Sequence, residues 1–543
     1  MYTIYHNGHI YVEKDRFVEA MLVSDGVIEK IGTLSEVTDG LCPKCERETV
    51  DLGGATVIPG LNDSHLHLAN VGSALSQVIL GDAKSVDDLV RLGKEFIERN
   101  GVPRGGVLLG RGWNQDYFTD EVRMPTRYDL DRISTEIPIV YTRACGHISV
   151  SNSKALELAG ITADTEAVPG GVIYRDENGE PNGLISENAQ RQIQAIIPPV
   201  SAESIAADIN IGMAYAASHG LTSLQTNDLR PGAWKMVIDA YKLVYANNPN
   251  ALRVYEQSNV GDIESVKEFF ALGHTTNSTL DGVDSDMFRF GPLKLFVDGS
   301  LGARTALMRK PYADDPSTVG VSTIPQQDFT DICLLADANN TQVVTHCIGD
   351  GAIELVLNGY EAAINTHPEK GNVNRHAAVH VQITDNAMLE RFKALDVGAQ
   401  VQPIFIHYDM NVVADRVGEE LAAQSYAFGD LYRMGVHTSY GTDSPVEDLN
   451  TMNNLYCAVT RKRLDGEKIY RPDQQVDISD AIDMYTIHSA YASFDENRKG
   501  RLMPGYLADF AVLDRDIFSI PLDEIKEVKV TKTVLGGKVI FER

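Results

Sequence analysis

Apolar strands alternate with amphipathic helical segments over most of the chain, and this alternation constrains the fold more than any other feature. A first strand runs from Thr56 to His67, and seven more follow near 221–226, 251–257, 292–298, 342–347, 376–381, 397–402 and 436–443. Helical patterns lie between them near 232–247, 262–272, 327–340, 350–366, 384–395 and 419–434. Strand–helix alternation is typical of a parallel sheet, and eight such strands predict an α/β fold, the (β/α)8 TIM barrel.

The two ends of the chain and one long interval do not follow this pattern. Residues 1–56 and 500–543 read as short strands separated by turn residues, so we expect them to form one small β-sandwich domain. Residues 57–69 and 201–499 then make the barrel. Residues 70–200 are rich in loop signals, and we expect an inserted α/β subdomain after the first barrel strand.

The charge balance bears on possible partners. The net charge is −28, which repels phosphate backbones and anionic lipid, so we expect neither a nucleic-acid nor a membrane partner and set a nuclease aside. The sequence has no run of roughly 20 apolar residues and no secretory signal at its start, which predicts a cytoplasmic location. A small-molecule substrate is expected, and a homodimer is an expectation from chain size alone.

The six cysteines do not form a disulfide framework in a chain of this length. Cys42 and Cys45 form a single close pair, whereas a structural zinc site usually needs four ligands. Two loop thiols are the favoured interpretation, and a redox or metal role stays open.

The strongest chemical signal is the pair His65 and His67 at the end of the first strand. Residues i and i+2 of a strand point to the same side, so both imidazoles can converge on one metal ion. A chance pair on a polar strand face is the alternative, and the position at a barrel strand end disfavours it.

Lys294 lies inside the apolar run Pro292–Val297 of the fourth strand. A buried ammonium is costly, so this lysine is expected either to pair within the barrel or to have a lowered pKa. A neutral amine can capture carbon dioxide and become a carbamate, which is an anionic oxygen ligand.

Three further candidates also stand at strand ends. His346 closes the fifth strand, His380 lies in the sixth and Asp443 follows the eighth. Together with the first pair they offer four imidazole nitrogens and one or two anionic oxygens, a set suited to zinc or a similar divalent metal.

This constellation resembles the amidohydrolase superfamily, whose pattern has these residue types on the same strands in the same order. Finer motifs, such as Gly112–Gln115, Asp298–Thr305, His346–Asp350 and Gly441–Val446, look like its N-substituted formamide deformylase branch. The chain departs from that pattern at Asn114, where aspartate is usual, and at Cys347, where a small residue is usual.

The resemblance implies a ligand set and several pocket residues. It assigns one metal to His65, His67, Lys294 and Asp443, and a less secure second metal to His346 and His380, with Lys294 as a bridging carbamate. It also implies that His147 and Arg304 assist catalysis and that Trp113 and Asp298 line the substrate pocket.

The expected activity is cleavage of a non-peptide, amide-like carbon–nitrogen bond of a small molecule by metal-activated hydroxide, with Asp443 moving the proton. Esterase, deaminase and isomerase activities on the same metal scaffold are alternatives, because a fold alone does not choose among them. A non-catalytic binding or scaffold barrel is a further alternative, which the complete ligand set disfavours.

Overall fold

The structure is a computed structural model that describes residues 2–42, 46–101, 104–166 and 168–543. The chain forms two compact units, one made of the residues up to Asn70 together with Gly212–Arg543, and one made of Val71–Ile211. Within the described ranges, no helix is long and apolar enough to cross a membrane.

The first unit contains the predicted TIM barrel. Its eight parallel strands follow one another in chain order around the sheet. The eighth strand region returns to the first, where Asp443 N donates to His65 O (2.8 Å) and His67 N donates to Ser444 O (2.8 Å). In order, the strands are Leu61–Leu66, Leu221–Thr226, Arg253–Ser258, Phe288–Phe296, Val343–Cys347, Ala377–His380, Gly398–Val401 and Thr438–Tyr440.

Amphipathic helices connect these strands, as the spacing predicts. In helix Asn386–Leu395, the buried residues Met388, Leu389 and Phe392 share one face, and Asp385 caps the first turn by accepting from Met388 N (2.9 Å). The other helices of nine or more residues in and beside the barrel are Ala202–Ser218, Trp234–Asn247, Ile263–Ala271, Gln326–Ala338, Asp350–Ile364 and Thr451–Thr460. Shorter ones are Ile406–Asp409, Val413–Val417, Glu419–Ala422, Phe428–Arg433, Ile478–Met484 and Ile487–Ala492.

The two chain ends form two β-sheets with a common core, and strands from both ends meet in the larger sheet. Tyr5, Ile10, Val57 and Phe510 are among the buried residues of their common core. One sheet has the order Lys538–Glu542, Val530–Leu535, Phe510–Leu513, Thr56–Pro59, His9–Glu13 and Arg16–Val18. The other has the order Val27–Gly32, Ala20–Ser24, Tyr2–His6 and Arg47–Asp51, with helix Leu34–Thr38 beside it.

The first predicted strand is in fact two. Thr56–Pro59 pairs with Phe510–Leu513 in the terminal sheet, and only Leu61–Leu66 belongs to the barrel. Gly60 lies between them, and a Cβ at this position would lie 2.2 Å from Thr222 Oγ1, so glycine allows the chain to approach the second strand closely. The barrel therefore begins at Leu61 rather than at residue 57.

The second unit is built on a mixed six-stranded sheet with its own apolar core, which includes Leu89, Leu108, Trp113 and Tyr141. The strands are, in sheet order, Gly171–Arg175, Pro181–Glu187, Ile148–Ser151, Ile139–Arg143, Leu108–Trp113 and Val78–Ile79. Its helices are Val86–Asn100, Arg127–Asp131, Ser153–Leu158 and Gln190–Gln194, and helix Leu68–Leu75 leads into it. Cys45 lies outside the described residues, so the Cys42–Cys45 pair remains an open prediction.

Candidate metal centre

His65, His67 and Asp443 come together at the carboxyl end of the barrel. Their ligand atoms all lie within 4.8 Å of one another. Asp443 Oδ1 is 3.4 Å from His65 Nε2 and 3.2 Å from His67 Nε2. Three ligand atoms this close can bind one ion, as the His-x-His spacing predicts.

Each of three histidines has its Nδ1 held by an acceptor. His65 Nδ1 lies 2.6 Å from Gln257 Oε1, His67 Nδ1 lies 2.9 Å from Asn227 O, and His380 Nδ1 lies 2.8 Å from Gln402 Oε1. Because a carbonyl oxygen can only accept, Nδ1 carries the hydrogen and Nε2 keeps its lone pair. This is the tautomer in which a metal-ligating histidine binds through Nε2.

His346 and His380 form the other side of the cluster. Their ring centroids are 4.4 Å apart, and the ring of His380 is 5.7 Å from that of His65. His346 Nε2 donates to Gly299 O (3.0 Å), so Nδ1 is the nitrogen that keeps a lone pair.

Lys294 is fully buried, and its Nζ has no hydrogen-bond partner in the part of the chain that the structure describes. Burial lowers its pKa to about 7, against the opposing charges of Asp443, Cys347 and Asp298. Of the two expectations for Lys294, pairing within the barrel is not found among the described residues, and the lowered pKa leaves part of the side chain as a neutral amine at neutral pH.

Four buried polar atoms of this cluster have no hydrogen-bond partner among the described residues: Nε2 of His65, Nε2 of His380, Nζ of Lys294 and Oδ1 of Asp443. Such atoms are costly unless something pairs with them. Two imidazole nitrogens, a carboxylate oxygen and an amine able to become a carbamate fit a divalent metal.

The electrostatics suit the same purpose. Burial, reinforced by the charge of Lys294, holds the pKa of His65 and His380 well below the usual value, so both imidazoles are neutral. Burial alone would raise the pKa of Asp443, but its close contacts with His67, His380 and His65 outweigh that effect and lower it, so the carboxylate is ionised. Neutral imidazoles and an anionic carboxylate are the forms that bind metal.

Two of the candidate ligands have strained backbones. His380 has φ of 77° and Asp443 has φ of 55°, both in the left-handed region that favours glycine. Strain of this kind persists where the surrounding structure fixes a side chain for function.

Asp298 was predicted to line the substrate pocket, but its carboxylate is engaged elsewhere. It accepts from the backbone N–H groups of Leu307 (3.0 Å) and Gly349 (2.9 Å) and lies 3.3 Å from His346 Nε2. These bonds hold the carboxylate beside His346, and its place in a substrate pocket stays a prediction.

Trp113 is likewise not on a pocket wall in this structure. Its side chain is fully buried in the core of the second unit, and Nε1 donates to Tyr141 O (3.1 Å). A large apolar ring is stabilised most by complete burial, which explains this position.

Arg304 and His147, the two remaining predicted residues, are each paired with a carboxylate. Arg304 pairs with Asp314 through two hydrogen bonds of 2.8 and 3.0 Å. His147, in the second unit, lies 3.0 Å from Glu187 Oε2, and that hydrogen bond raises its pKa. Their roles in catalysis stay predictions.

Sequence reasoning missed the residues that hold the histidines. Gln257, Asn227 and Gln402 are buried polar residues at or just beyond strand ends, and this is the signal that could have found them. Asp63 was also missed: it accepts from Thr442 N, Thr442 Oγ1 and Tyr485 OH, tying the first strand to the eighth. Burial raises the pKa of its carboxyl to about 7.

Several known proteins are similar to this chain in sequence or in fold. Residues 48–541 match the model of the Amidohydrolase family. YtcJ of Bacillus subtilis is 32% identical and matches 100% of both chains, and the N-substituted formamide deformylase of Arthrobacter pascens is 26% identical over 97% of this chain and 95% of its own. An uncharacterized metal-dependent hydrolase from Pyrococcus horikoshii superposes with a TM-score of 0.73 at 29% identity, covering 96% of this chain and 99% of that one.

Proposed function

Since the chain belongs to the Amidohydrolase family and is a metal-dependent hydrolase, we propose that it hydrolyses an amide-like, non-peptide carbon–nitrogen bond of a small molecule. The observation that carries this proposal is the cluster of four buried ligand atoms at one end of the barrel that have no hydrogen-bond partner among the described residues. The relative named N-substituted formamide deformylase supports the choice of bond.

We propose the following ligand set. His65, His67, Lys294 and Asp443 would hold one divalent metal, most simply zinc, and His346 and His380 would hold a second. Lys294 would supply an anionic oxygen as a carbamate, in keeping with its burial and the lowered pKa of its amine.

When bound, the divalent metal polarises the substrate carbonyl and acidifies water. The residues then have separate tasks. Asp443, ionised and held beside His67, accepts the proton of the attacking water and delivers it to the departing nitrogen. Gln257 and Asn227 keep His65 and His67 in the tautomer that the site needs.

The direct test is a screen of metal-reconstituted protein against N-acyl amines, N-formyl amines, cyclic amides and esters of matched size. We expect turnover of at least one amide class, lost on chelation and restored by zinc. Turnover of esters alone, or equal turnover with and without metal, would contradict the proposal.

The carbamate is tested through Lys294→Ala. We expect this variant to lose metal and activity, and a short carboxylic acid added to the buffer to restore part of both by replacing the missing oxygen ligand. Metal content is measured by elemental analysis.

Lys499→Ala is the matched control, because Lys499 is another buried lysine but is paired with Asp495 at 2.6 Å. It should keep its metal and show no response to the acid. Unchanged metal content in Lys294→Ala would exclude the ligand role.

A further inference from the structure

The side-chain amides of Gln257 and Gln400 form a line of hydrogen bonds that starts at His65, inside the barrel. Gln257 Oε1 accepts from His65 Nδ1 (2.6 Å), and Gln257 Nε2 donates to Ser64 O (2.9 Å) and to Gln400 Oε1 (3.1 Å). These bonds fix which end of each amide is oxygen and which is nitrogen. Gln400 therefore directs its N–H groups away from the metal centre.

The far end of this line is unsatisfied within the protein. Gln400 Nε2 and Gln342 Oε1 are both buried polar atoms without a partner among the described residues, and each side chain is 1% exposed. Both residues line the same cavity, together with His437, Ser439 and His488. One atom can only donate and the other can only accept, so they are complementary.

The size and polarity of this cavity limit what it can hold. Its volume is about 20 Å³. A buried water needs roughly 10–15 Å³ and two to four polar partners. Pockets for organic ligands start at about 300 Å³, so this cavity suits a water molecule and excludes an organic ligand.

We propose that an ordered water in this cavity accepts from Gln400 Nε2 and donates to Gln342 Oε1, and that Gln400 is a positioning residue for the metal ligand His65. The second half of this inference rests on the proposed metal site. The water completes the hydrogen bonding of Gln400, which in turn supplies the acceptor for Gln257 Nε2. His488 Nδ1, which also lacks a hydrogen-bond partner among the described residues, is a further polar atom with which the water can bond.

This line of hydrogen bonds affects metal binding through the orientation of the His65 imidazole. Gln257 keeps His65 Nε2 free only while its own oxygen faces His65. If Gln400 is removed, Gln257 loses one of the two acceptors of its Nε2 and its amide becomes freer to turn. Loss of groups that orient a metal-ligating histidine typically costs 10- to 100-fold in metal affinity.

The affinity test uses four variants and zinc as the probe, with the full-length protein and competition against a chelator. Gln400→Leu should weaken zinc binding about 10-fold, and Gln342→Leu should weaken it less, since only the water loses its acceptor. Gln400→Glu should stay close to wild type, because a buried, protonated glutamic acid has an acceptor oxygen for Gln257 and an O–H for the water.

Gln225→Leu is the matched control. Gln225 is also a glutamine of a barrel strand with 1% exposure, but its Nε2 donates to Ser489 O (2.6 Å) and not to the line that reaches His65. It should lower the melting temperature by an amount similar to Gln400→Leu and leave zinc affinity unchanged. A merely structural role of Gln400 would give these two variants the same zinc affinity, which would overturn the positioning role.

The water is tested separately by a high-resolution crystal structure of the wild-type protein. We expect a density peak at about 2.8–3.2 Å from both Gln400 Nε2 and Gln342 Oε1. A dry cavity, or a reversed Gln400 amide bonded to protein, would refute the water site. Failure of the wild type to bind zinc would instead refute the proposed function and the positioning role together. The crystal structure would still show whether the cavity holds the water.

Discussion

At the scale of single residues, the proposed function gives Asp443 two tasks, metal ligand and proton carrier, and substitution can separate them. Asn keeps one oxygen for the metal but cannot accept a proton, so Asp443→Asn should lower kcat by about 10²–10⁴-fold. Partial retention of zinc, measured together with kcat and the melting temperature, would show that chemistry rather than folding is lost. Full activity in this variant would exclude Asp443 as the proton carrier.

Site residues whose charge conflicts with an apolar strand could be predicted from the sequence. Uncharged polar residues that support the site could not. Lys294 stood out because a lysine in an apolar strand conflicts with burial. Gln257 did not, because a glutamine carries no charge to make such a conflict visible. Trp113 and Asp298 were assigned to a pocket by motif, but burial of a ring and pairing of a carboxylate with backbone N–H groups decided their positions.

At the scale of elements, one strand end orients both histidines of the first pair. Gln257, on the inner side of the third barrel strand, holds His65. Its neighbour Glu256 points the other way and accepts from Asp228 N (3.0 Å) and Leu229 N (2.9 Å), fixing the loop whose Asn227 carbonyl holds His67. Because adjacent side chains of a strand point to opposite sides, Gln257 and Glu256 position two different histidines.

This arrangement predicts how Glu256 variants behave. Burial, followed by the charge of Asp228, raises the pKa of Glu256 well above its usual value, so the acid is neutral in the folded protein. Glu256→Gln should therefore keep zinc affinity within about 2- to 3-fold, whereas Glu256→Leu should weaken it by about 10-fold. Equal zinc affinities of the two variants, measured against a chelator, would contradict this account.

A second element-scale contact predicts acid sensitivity. Asp337, in the last turn of helix Gln326–Ala338, lies 2.6 Å from His367 Nε2 and accepts from Asn374 Nδ2 (2.6 Å). Burial raises its pKa, but hydrogen bonds from His376, Asn374 and His367 outweigh that effect and lower it to about 2.

A lowered carboxyl pKa stabilises the folded state above the unfolded value of about 3.9, and this stabilisation is lost as pH falls toward 2. We expect a contribution of about 1–2 kcal/mol at neutral pH. Urea unfolding between pH 2 and 6 should show a smaller loss of stability over this window in Asp337→Asn than in the wild type. An unchanged pH profile would mean that Asp337 is not the group responsible.

Most elements could be predicted because their periodicity reflects what each face touches. The second barrel strand was predicted at 221–226 and is found at Leu221–Thr226. The break at Gly60 was missed, although Pro59 and Gly60 are residues that commonly end a strand. The pairing of Thr56–Pro59 with Phe510–Leu513, a contact distant in sequence, reveals the division.

At the scale of the whole molecule, metal binding should be visible in stability. A ligand that binds only the folded state stabilises it by about 4 kcal/mol at a concentration of 1,000 times its Kd. Zinc added to metal-free protein should therefore raise the melting temperature by several degrees in a concentration-dependent way. His65→Ala should show a much smaller rise at the same zinc concentration, and an equal rise in both proteins would place the stabilising ion elsewhere.

The closure of the barrel between its first and eighth strands also sets an order of events during synthesis. His67 leaves the ribosome about 375 residues before Asp443, its neighbour in the finished site. At a synthesis rate of roughly 5–20 residues per second, Asp443 is added about 20–75 s after the histidine pair. With the proposed ligand set, metal loading is therefore a late step for each new chain, completed only when the eighth strand closes against the first.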